Sequence, residues 1–436
     1  MAQDLCTRRR ALALGGAASA AAALAACGPN APAGGRSTSG GDAALRMTWW
    51  GGENRASITQ AVIDEYVATH DGVTIAAEPS EFSAYWDRLA TQTAAKDAPD
   101  IIQMEESYLA EYAERGVLLD LSTAGLDTSG FTAGLAEAGT LEGIGQMGVR
   151  GGSNAPVMLA NATMFEKAGV PLPDDRTWTW EDQLAAAEAI SAATEDGVFG
   201  TGQFVLNPVV LRAWLRQHGK GLWKDGALGF GAADATAFFE FCGAMLASTA
   251  GPGAEATQED YASGLEQSLF ATGRQAMTVA WSNQTVAYAN VLEDEIALLR
   301  LPAAPGNGGD HQMWLKPGIF WSVSASSAHP QEAVAVIDHL LNSPEAAAHL
   351  GVERGLPPNT EIRAGVKQQL AGIELTTLEF VDEITPEAGT TPEIAPQGGS
   401  QFEPLLGRVG EAFLFGQVDA AGAAARIVEE LSAAIA

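Results

Sequence analysis

The residues best suited to binding chemistry in this chain are seven in a row, Trp49-Trp50-Gly51-Gly52-Glu53-Asn54-Arg55. Trp50 offers a flat apolar face, and Glu53 and Arg55 add charged hydrogen-bonding groups close to it. The paired glycines allow a tight turn and let another molecule approach the backbone closely. Such a turn can hold a small molecule, or its tryptophans can simply fill the core. The seven residues alone leave both interpretations open.

The neighbouring sequence predicts that this turn joins a strand to a helix. Leu45, Met47 and Trp49 alternate with polar residues, which is the pattern of a strand with one buried face. After the turn, apolar residues recur at helical spacing, at Ile58, Val62, Ile63, Tyr66 and Val67. The alternation assigns Trp49 to the core and leaves Trp50 at the start of the turn.

Strands and helices go on alternating along the first folded segment. Further strands are predicted at residues 73–77, 100–104 and 117–121, with helices between them. This alternation indicates a mostly parallel sheet with helices on both faces, and such sheets bind ligands beyond the carboxyl ends of their strands. Three loops are therefore expected to meet at one rim: residues 50–55, Glu81 with Phe82, and Glu105 with Glu106.

A second region, richer in helix, is predicted to begin near Asn154. It contains a predicted strand at residues 155–160 and an approximate capping box in which Thr179 caps a helix and Asp182 follows three residues later. Another predicted strand, residues 275–281, runs directly into Ser282-Asn283-Gln284. A chain of 436 residues is too long for one ordinary core, so two domains are expected.

The N-terminal residues have the layout of an export signal. Arg8, Arg9 and Arg10 precede an uncharged, alanine-rich run that ends at Ala26. Leu24-Ala25-Ala26-Cys27 closes this run and resembles the bacterial lipobox, in which the cysteine is lipidated. A twin-arginine signal and an ordinary secretory signal both fit the arginines. We predict a signal peptide at residues 1–26, lipidation of Cys27, and a flexible tether over residues 27–44.

Charge and cysteine content restrict the classes of function. The chain has 24 basic and 54 acidic residues, a balance that argues against nucleic acid and anionic membrane surfaces as partners. Membrane contact is expected only through the lipid anchor. Once the signal peptide is removed and Cys27 is lipidated, Cys242 is the only thiol, and its apolar neighbours predict a buried structural cysteine.

Sequence context does not support the motifs that would indicate catalysis. Residues 143–148 match the dinucleotide fingerprint, but no strand precedes them and no helix follows. The histidines lack metal-ligand spacing. Glu105 and Glu106 suggest a glycosidase pair, but neighbours at a strand end point apart, and the sequence shows no second carboxylate for either. We predict no catalytic residue, no cofactor and no metal site.

Several short segments between about Leu45 and Pro358 carry a family resemblance through their order along the chain: residues 49–55, 85–92, 98–104, 112–116, 119–121, 167–170, 177–180, 281–284 and 353–357. Behind a lipobox, this order resembles the extracellular solute-binding proteins of bacterial ABC transporters, in the branch that takes up sugars and oligosaccharides. Two features depart from the family. Residues 145–150 lack the usual Gly-Leu-Pro-like hinge turn, and the chain beyond Pro358 matches only in helical character.

The resemblance implies an α/β fold of the two-lobed, type II periplasmic-binding-protein kind. Such a fold has two mixed sheets, helices on both faces and a hinge of crossing segments. Lobe one is expected to comprise residues 45–152 and 284–326, and lobe two residues 153–283 and 327–436. The chain is expected to cross between lobes near residues 153–154, near Asn283 and near residues 326–329.

The resemblance also implies a function. The protein is expected to be an exported receptor, anchored by lipid on the extracellular face of the cell membrane. As a monomer, it would bind a sugar or oligosaccharide between its lobes and deliver it to the permease subunits of an ABC transporter, without being an enzyme. Two alternatives stay open, a secreted glycoside-active enzyme and a receptor for a small molecule other than a sugar.

A sugar ring needs two kinds of contact, since its C–H face stacks on aromatic rings and its hydroxyls both donate and accept hydrogen bonds. The stacking candidates are Trp50, Trp281 and Trp314, whereas Trp321 fits a core position better. The remaining candidates, chosen from strand ends and family position, are Gly51, Gly52, Glu53, Arg55, Glu81, Phe82, Tyr85, Glu105, Asn154, Asn283, Gln284, Lys316 and Arg354. The arginines leave an acidic sugar open, although the negative net charge argues against one.

Overall fold

The computed structural model of the protein describes residues 42–132, 134–307 and 309–436. The predicted signal peptide, Cys27 and the tether as far as residue 41 lie outside the described residues. The strands are β1 (Ala43–Trp50), β2 (Val73–Ser80), β3 (Ile101–Met104), β4 (Thr140–Leu141), β5 (Gly145–Gln146), β6 (Val149–Asn154), β7 (Pro156–Asn161), β8 (Trp223–Lys224), β9 (Ala227–Leu228), β10 (Met277–Trp281), β11 (Ile296–Leu299) and β12 (Lys316–Val323).

Helices outnumber strands among the described residues. The α-helices are α1 (Glu53–Thr69), α2 (Phe82–Ala94), α3 (Glu106–Glu114), α4 (Ala162–Ala168), α5 (Trp180–Ala193), α6 (Pro208–Gln217), α7 (Ala232–Leu246), α8 (Ala254–Ala262), α9 (Thr285–Ala289), α10 (Pro330–Asn342), α11 (Pro344–Leu350), α12 (Thr360–Lys367), α13 (Gly372–Ile384), α14 (Phe402–Leu414) and α15 (Ala420–Ala434). Short 3₁₀ helices lie at Leu121–Thr123, Leu265–Gln267, Ser282–Gln284, Thr385–Glu387 and Gly399–Gln401.

The first sheet has five strands in the order β2-β1-β3-β12-β6. Strands β2, β1 and β3 are parallel, while β12 runs antiparallel to both β3 and β6. The core of this sheet buries Leu45, Met47 and Trp49 on β1, as the alternation predicted. Helices α1, α2, α3, α10 and α11 pack against the sheet or against one another. The predicted α/β class is confirmed.

The predicted strand-to-helix turn is also confirmed, because β1 ends at Trp50 and α1 begins at Glu53. Gly51 has φ of +147°, a conformation that favours glycine. A Cβ atom at Gly51 would overlap the side chain of Arg55, which folds back so that its Nη1 donates to the Trp50 carbonyl at 3.1 Å. The turn is therefore closed by its own arginine.

A second core surrounds the three-stranded sheet β10-β7-β11. Every residue of the central strand β7 is buried, and both of its neighbours pair with it antiparallel. This sheet therefore contains only antiparallel pairs, whereas a mixed sheet was expected. The capping box is present, since Thr179 Oγ1 accepts from the Asp182 amide at 3.2 Å and Asp182 Oδ2 accepts from the Thr179 amide at 2.9 Å.

The two cores divide the chain differently from the predicted lobe boundaries. Strand β11, which was expected in lobe one, pairs with β7 in the second core. Helices α10 and α11, which were expected in lobe two, contribute Val334, Ile337 and Ala346 to the first core. The family resemblance implied a crossing near Asn283, but the 3₁₀ turn there leads into α9, whose Tyr288 is buried in the second core.

The chain instead returns to the first sheet where β12 begins, at Lys316. It leaves the first core again after α11, because the next buried apolar residue, Val352, belongs to the second core. Only the crossing between β6 and β7, at Asn154 and Ala155, lies where it was expected. Within the described ranges, no helix combines the length and apolarity that a bilayer crossing requires.

Candidate functional site

The main cavity of the candidate site has a volume of about 540 Å³ and lies where elements of the two cores meet. The first core contributes the end of β1, the start of α2, the β3–α3 junction, the end of β6 and the start of β12. The second core contributes α6, α8, the end of β10 and the start of α14. Eight predicted site residues line this main cavity: Trp50, Phe82, Glu105, Asn154, Trp281, Asn283, Gln284 and Lys316.

The wall from the first core is aromatic. The ring of Phe82 meets Trp50 edge to face, with centroids 5.6 Å apart, and Trp86 stacks on Tyr108 at 3.7 Å. Phe82 is 45% exposed and Trp50 only 9%. A ligand therefore meets Phe82 and Tyr108 before Trp50, which supports them from behind.

The wall from the second core centres on Trp281, the last residue of β10. Its indole is half-buried and rests edge-on against Trp314, with centroids 6.0 Å apart. The Nζ of Lys316 lies 5.0 Å from the centroid of the Trp281 ring, within range of a cation–π contact. Trp281 can stack on a ligand, whereas Trp314 is only 1% exposed and does not reach the main cavity.

A buried ion pair lies on the wall from the first core. Lys316 Nζ lies 2.7 Å from Glu105 Oε1, and the amide of Ser107 donates to Glu105 Oε2 at 2.7 Å. Burial raises the pKa of Glu105, but the charge and hydrogen bond of Lys316 and the bonds from Ser107 outweigh it and lower that pKa. Burial lowers the pKa of Lys316, and Glu105 and other carboxylates reverse this effect, so that Lys316 stays charged.

A second pair lies deeper, where Arg212 Nη2 is 3.5 Å from Glu106 Oε1. Both side chains are at least nine-tenths buried, and the guanidinium of Arg212 also lies 5.4 Å from the centroid of the Phe402 ring. Both cations that line the main cavity, Lys316 and Arg212, therefore have carboxylate partners already.

Glu403, in the first turn of α14, is a second carboxylate on the main cavity wall that the sequence did not reveal. Its side chain is open to solvent through the cavity but crowded by protein atoms. This crowding raises the pKa of Glu403, Glu105 and Glu106 raise it further, and Lys316 and Arg212 partly compensate. The expectation that no second carboxylate accompanies Glu105 is therefore corrected.

Asn154, at the end of β6, is held in a narrow slot beside the main cavity. It is 5% exposed, and its Oδ1 accepts no hydrogen bond from the described residues. A Cβ atom at Gly355 would lie 2.5 Å from this oxygen, and one at Gly318 would lie 2.8 Å from Nδ2. The slot thus requires glycine at both positions. It holds Oδ1 buried against Gly355, while Nδ2 faces Gly318 on the cavity lining.

Two further cavities adjoin the main one. An inner cavity of about 400 Å³ extends into the second core and shares Tyr261, Trp281, Gln284 and Glu403 with the main cavity. A third cavity of about 530 Å³, called the hinge-side cavity because the crossing segment after α11 (residues 351–353) lines it, shares Asn283 and Gln284 with the main cavity. The main and inner cavities together have room for more than one sugar ring, since ligand sites of about 300–1,000 Å³ hold drug-sized molecules.

Arg55 lines the hinge-side cavity instead of the main one. Its Nε lies 2.6 Å from Glu353 Oε1, and both side chains are largely buried. Arg55 therefore ties the first turn of α1 to the segment after α11. The sequence had predicted that Arg55 reaches the ligand beside the aromatic residues. The structure places it in the hinge-side cavity instead.

Other predicted site residues also lie outside the main cavity. Tyr85 is 1% exposed and donates from its hydroxyl to the Gln103 carbonyl at 2.5 Å. Arg354 is 5% exposed, and its Nε and Nη2 donate to Gln103 Oε1 and Thr59 Oγ1 at 3.1 and 2.7 Å. These two side chains, like Trp314, stabilise the walls from within. Also outside the lining of the main cavity are Gly51, Gly52, Glu53 and Glu81.

Sequence reasoning missed several lining residues: Ser107, Tyr108, Arg212, Tyr261, Gly399, Ser400, Phe402, Glu403 and Pro404. Ser107 and Tyr108 directly follow the predicted Glu105, and a search of the whole strand-to-helix junction would have included them. The others come from helices of the second core and from the C-terminal region, for which no family position was available. No signal in the sequence points to their contact with the first sheet.

The described residues support neither a reactive thiol nor a metal site. Cys242 is free and buried, and burial raises its pKa well above the ordinary value, as suits a structural thiol. Within the described part of the chain, no three histidine, cysteine, aspartate or glutamate side chains gather closely enough to hold a metal ion.

Comparisons with known proteins agree with this architecture. The family model described as bacterial extracellular solute-binding protein matches residues 61–371. A lipoprotein of uncharacterised function from the oleD 5′ region of Streptomyces antibioticus is 29% identical over 331 residues, which cover 73% of this chain and 70% of that protein.

Two solved structures share the fold at low sequence identity. One is a periplasmic oligogalacturonide-binding protein from Yersinia enterocolitica in complex with saturated digalacturonic acid, at 22% identity and a TM-score of 0.79, covering 90% of this chain and 100% of that one. The other is an ABC substrate-binding protein from Listeria monocytogenes in complex with cycloalternan, at 19% identity and a TM-score of 0.77, covering 89% and 98%.

Proposed function

Because the chain belongs to the family of bacterial extracellular solute-binding proteins, we propose that it is the lipid-anchored binding component of an ABC importer and takes a sugar or oligosaccharide into the main cavity. The relative from Streptomyces is itself described as a lipoprotein, which supports anchoring through Cys27. The two structural neighbours are described as binding digalacturonic acid and cycloalternan. The monomeric state and delivery to permease subunits belong to the same proposal.

The observation that carries this proposal is the composition of the main cavity. Phe82 and Tyr108 from the first core and Trp281 from the second offer aromatic faces to one space. Between them lie carboxylate, amide, hydroxyl and ammonium groups that can bond hydroxyls. This combination matches the apolar face and the equatorial hydroxyls of a sugar ring.

Contacts from both cores also supply a reason for closure on the ligand. A ligand shifts a conformational equilibrium only if it binds one state better than the other, so it must touch both cores to draw them together. Phe82 and Trp281 give a single ring that opportunity. A dissociation constant near 1 μM corresponds to about 8 kcal/mol of net binding free energy.

A glycoside-active enzyme would need one carboxylic acid with a raised pKa and one free carboxylate. Glu403 has a raised pKa, but Glu105 is held by Lys316 Nζ at 2.7 Å and by Ser107, so it has no free oxygen with which to attack a sugar. The site therefore favours binding over hydrolysis. Recovery of unchanged ligand after long incubation is the expected result, and turnover that is lost on changing Glu105 would contradict it.

Titration calorimetry against a panel of mono- and oligosaccharides and polyols tests the proposal directly. We expect one ligand site per chain, and the Trp281→Ala variant to bind the tightest panel member at least about fivefold more weakly, since stacking on an aromatic ring is worth about 1 kcal/mol. Trp214→Ala is the matched control, because Trp214 is also half-buried but lines none of the three cavities.

Two results would contradict the proposal. The first is the absence of heat from every panel member with a protein whose circular dichroism shows that it is folded. The second is an unchanged dissociation constant for Trp281→Ala, which would return Trp281 to a purely structural role. Binding of a polyol but of no sugar would instead favour the receptor for a small molecule other than a sugar.

A further inference from the structure

The charges around the joined main and inner cavities are unevenly matched. Arg212 and Lys316 are the cations among the lining residues, and each already lies within ion-pairing distance of a carboxylate, Glu106 and Glu105 respectively. A carboxylate on the ligand would have to share either cation with the carboxylate already paired to it. The site therefore has no unpaired positive charge to offer an acidic sugar.

Two lining carboxylates have no such partner. Glu403 lies on the wall that the main and inner cavities share, and Asp260 lines the inner cavity. Neither forms an ion pair with a residue in the described ranges. The Oδ1 of Asp260 accepts from the Leu269 amide at 2.6 Å. Burial raises the pKa of Asp260 and crowding raises that of Glu403, and the nearby cations, Arg274 for Asp260 and Lys316 with Arg212 for Glu403, offset only part of this.

The uncharged polar groups do not offset this imbalance. Asn154 is 5% exposed and lines the main cavity, and Gln275 is 2% exposed and lines the inner cavity. The side-chain oxygens of both residues accept no hydrogen bond from the described residues, but the oxygens themselves are fully buried, so a ligand in the cavities does not reach them. The walls thus offer spare negative charge from Glu403 and Asp260 alone.

We infer that the ligand is an amine-bearing sugar or oligosaccharide, whose ammonium group lies beside Glu403 at the junction of the two cavities. This inference rests on the proposed function and adds the charge of the ligand to it. An ammonium group carries three donors and no acceptor, which complements the acceptor oxygens of the two unpaired carboxylates. A uronate would place a third unpaired carboxylate beside Glu403 and Asp260.

Two series of three ligands each isolate the effect of ligand charge. In each series the parent trisaccharide, cellotriose or maltotriose, is compared with the derivatives that carry an amine or a carboxylate at C6 of one and the same ring. Binding is measured by titration calorimetry of the full chain near neutral pH. We expect the amine to bind at least about tenfold more tightly than the carboxylate, with the alcohol between them, which is the scale of one unscreened charge contact on each side.

The Glu403→Gln variant then locates the contact. We expect it to weaken binding of the amine roughly threefold to tenfold more than it weakens binding of the alcohol. Glu411→Gln is the matched control, because Glu411 lies on the same helix, is exposed and lines none of the cavities. If Glu403→Gln does not fold, Asp260→Asn provides the same comparison from the inner cavity.

The outcomes separate this inference from the function on which it rests. If the carboxylate binds as tightly as the amine, or if Glu403→Gln weakens all three ligands equally, the inference is overturned while sugar binding stands. Binding of the alcohol alone has the same consequence. If no member of the panel or of either series binds the folded protein, the proposed function is overturned, and the inference with it.

Discussion

Replacement of Lys316 by methionine tests the account of its buried ion pair with Glu105. The change removes the ammonium group 2.7 Å from Glu105 and keeps most of the side chain's apolar volume. The side chains of Lys316 and Glu105 are 16% and 13% exposed, so the carboxylate left behind is poorly solvated. Removing one partner of a buried pair costs about 3–5 kcal/mol. Because both groups border a cavity that water can enter, we expect a loss of about 2–4 kcal/mol in the free energy of unfolding.

The loss of unfolding free energy in Lys316→Met should depend on pH, and the pKa of Glu105 gives the direction of that dependence. In the unaltered protein the pKa of Glu105 is lower in the folded than in the unfolded state, so its stabilising effect is present above the unfolded pKa, about 4.3, and is lost as pH falls through the folded value. Without Lys316, burial is the largest effect on Glu105, and the Glu403 carboxylate acts in the same direction, against the Ser107 bonds. We expect the pKa of Glu105 in the folded variant to lie above the unfolded value, so the variant gains stability as pH falls towards about 4.3.

Urea unfolding followed by circular dichroism, at about pH 5 and at about pH 8, measures both effects. We expect the deficit of Lys316→Met to be larger at the higher pH. The double variant Glu105→Gln/Lys316→Met, which removes both charges of this pair, should recover most of the loss. Lys224→Met should match the unaltered protein because Lys224 is exposed. A deficit below about 1 kcal/mol, or one that does not change with pH, would show that the pair is not buried as described.

Two further predictions concern positions that hold the site in place. Gly355→Ala should lower the free energy of unfolding by at least about 2 kcal/mol, because Gly355 has φ of +95° and a Cβ there would press on Ser153 and Asn154. Gly365→Ala is the control, because Gly365 lies in a helix with no atom near the added carbon, and the change should be neutral or stabilising by up to about 1 kcal/mol. Equal urea midpoints for the two variants would contradict the close packing described around Gly355. Cys242 should resist a thiol reagent in the native protein and react on unfolding, as followed by peptide mass spectrometry, and rapid native labelling would contradict its burial.

Local patterns in the sequence predicted local structure well. The alternation of Leu45, Met47 and Trp49 identified the buried face of β1, and the glycines after Trp50 marked the turn into α1. The spacing of Thr179 and Asp182 predicted a helix start that the structure contains. These predictions succeeded because each depends on residues within a few positions of one another.

Predictions were less accurate where they depended on which way a side chain points or on contacts between residues far apart in the sequence. The rule for strand ends placed the right loops near the cavity, but it did not indicate which side chains turn towards it. Arg55 folds back on its own turn and pairs with Glu353, almost three hundred positions later. Glu403, from the C-terminal helices, reaches the same cavity as Glu105. The spacing of apolar residues predicts local helices and strands but not contacts between distant parts of the chain, so the sequence did not reveal these two contacts.

The lobe boundaries were misplaced for a related reason. The family resemblance placed a crossing near Asn283, in the turn Ser282-Asn283-Gln284, although the chain only enters the short helix α9 there. Sequence alone does not tell whether the next strand pairs with the same sheet or with the other one. The pairing of β11 with β7 settles this in favour of the second core.

A crystal structure of the protein with the tightest-binding member of the sugar panel tests the central claim most directly. The account predicts one sugar ring in contact with both Phe82 and Trp281, with its hydroxyls or amine within hydrogen-bonding distance of Glu403 and Asn154. A ligand found only in the hinge-side cavity beside Arg55, or on the outer surface, would contradict it.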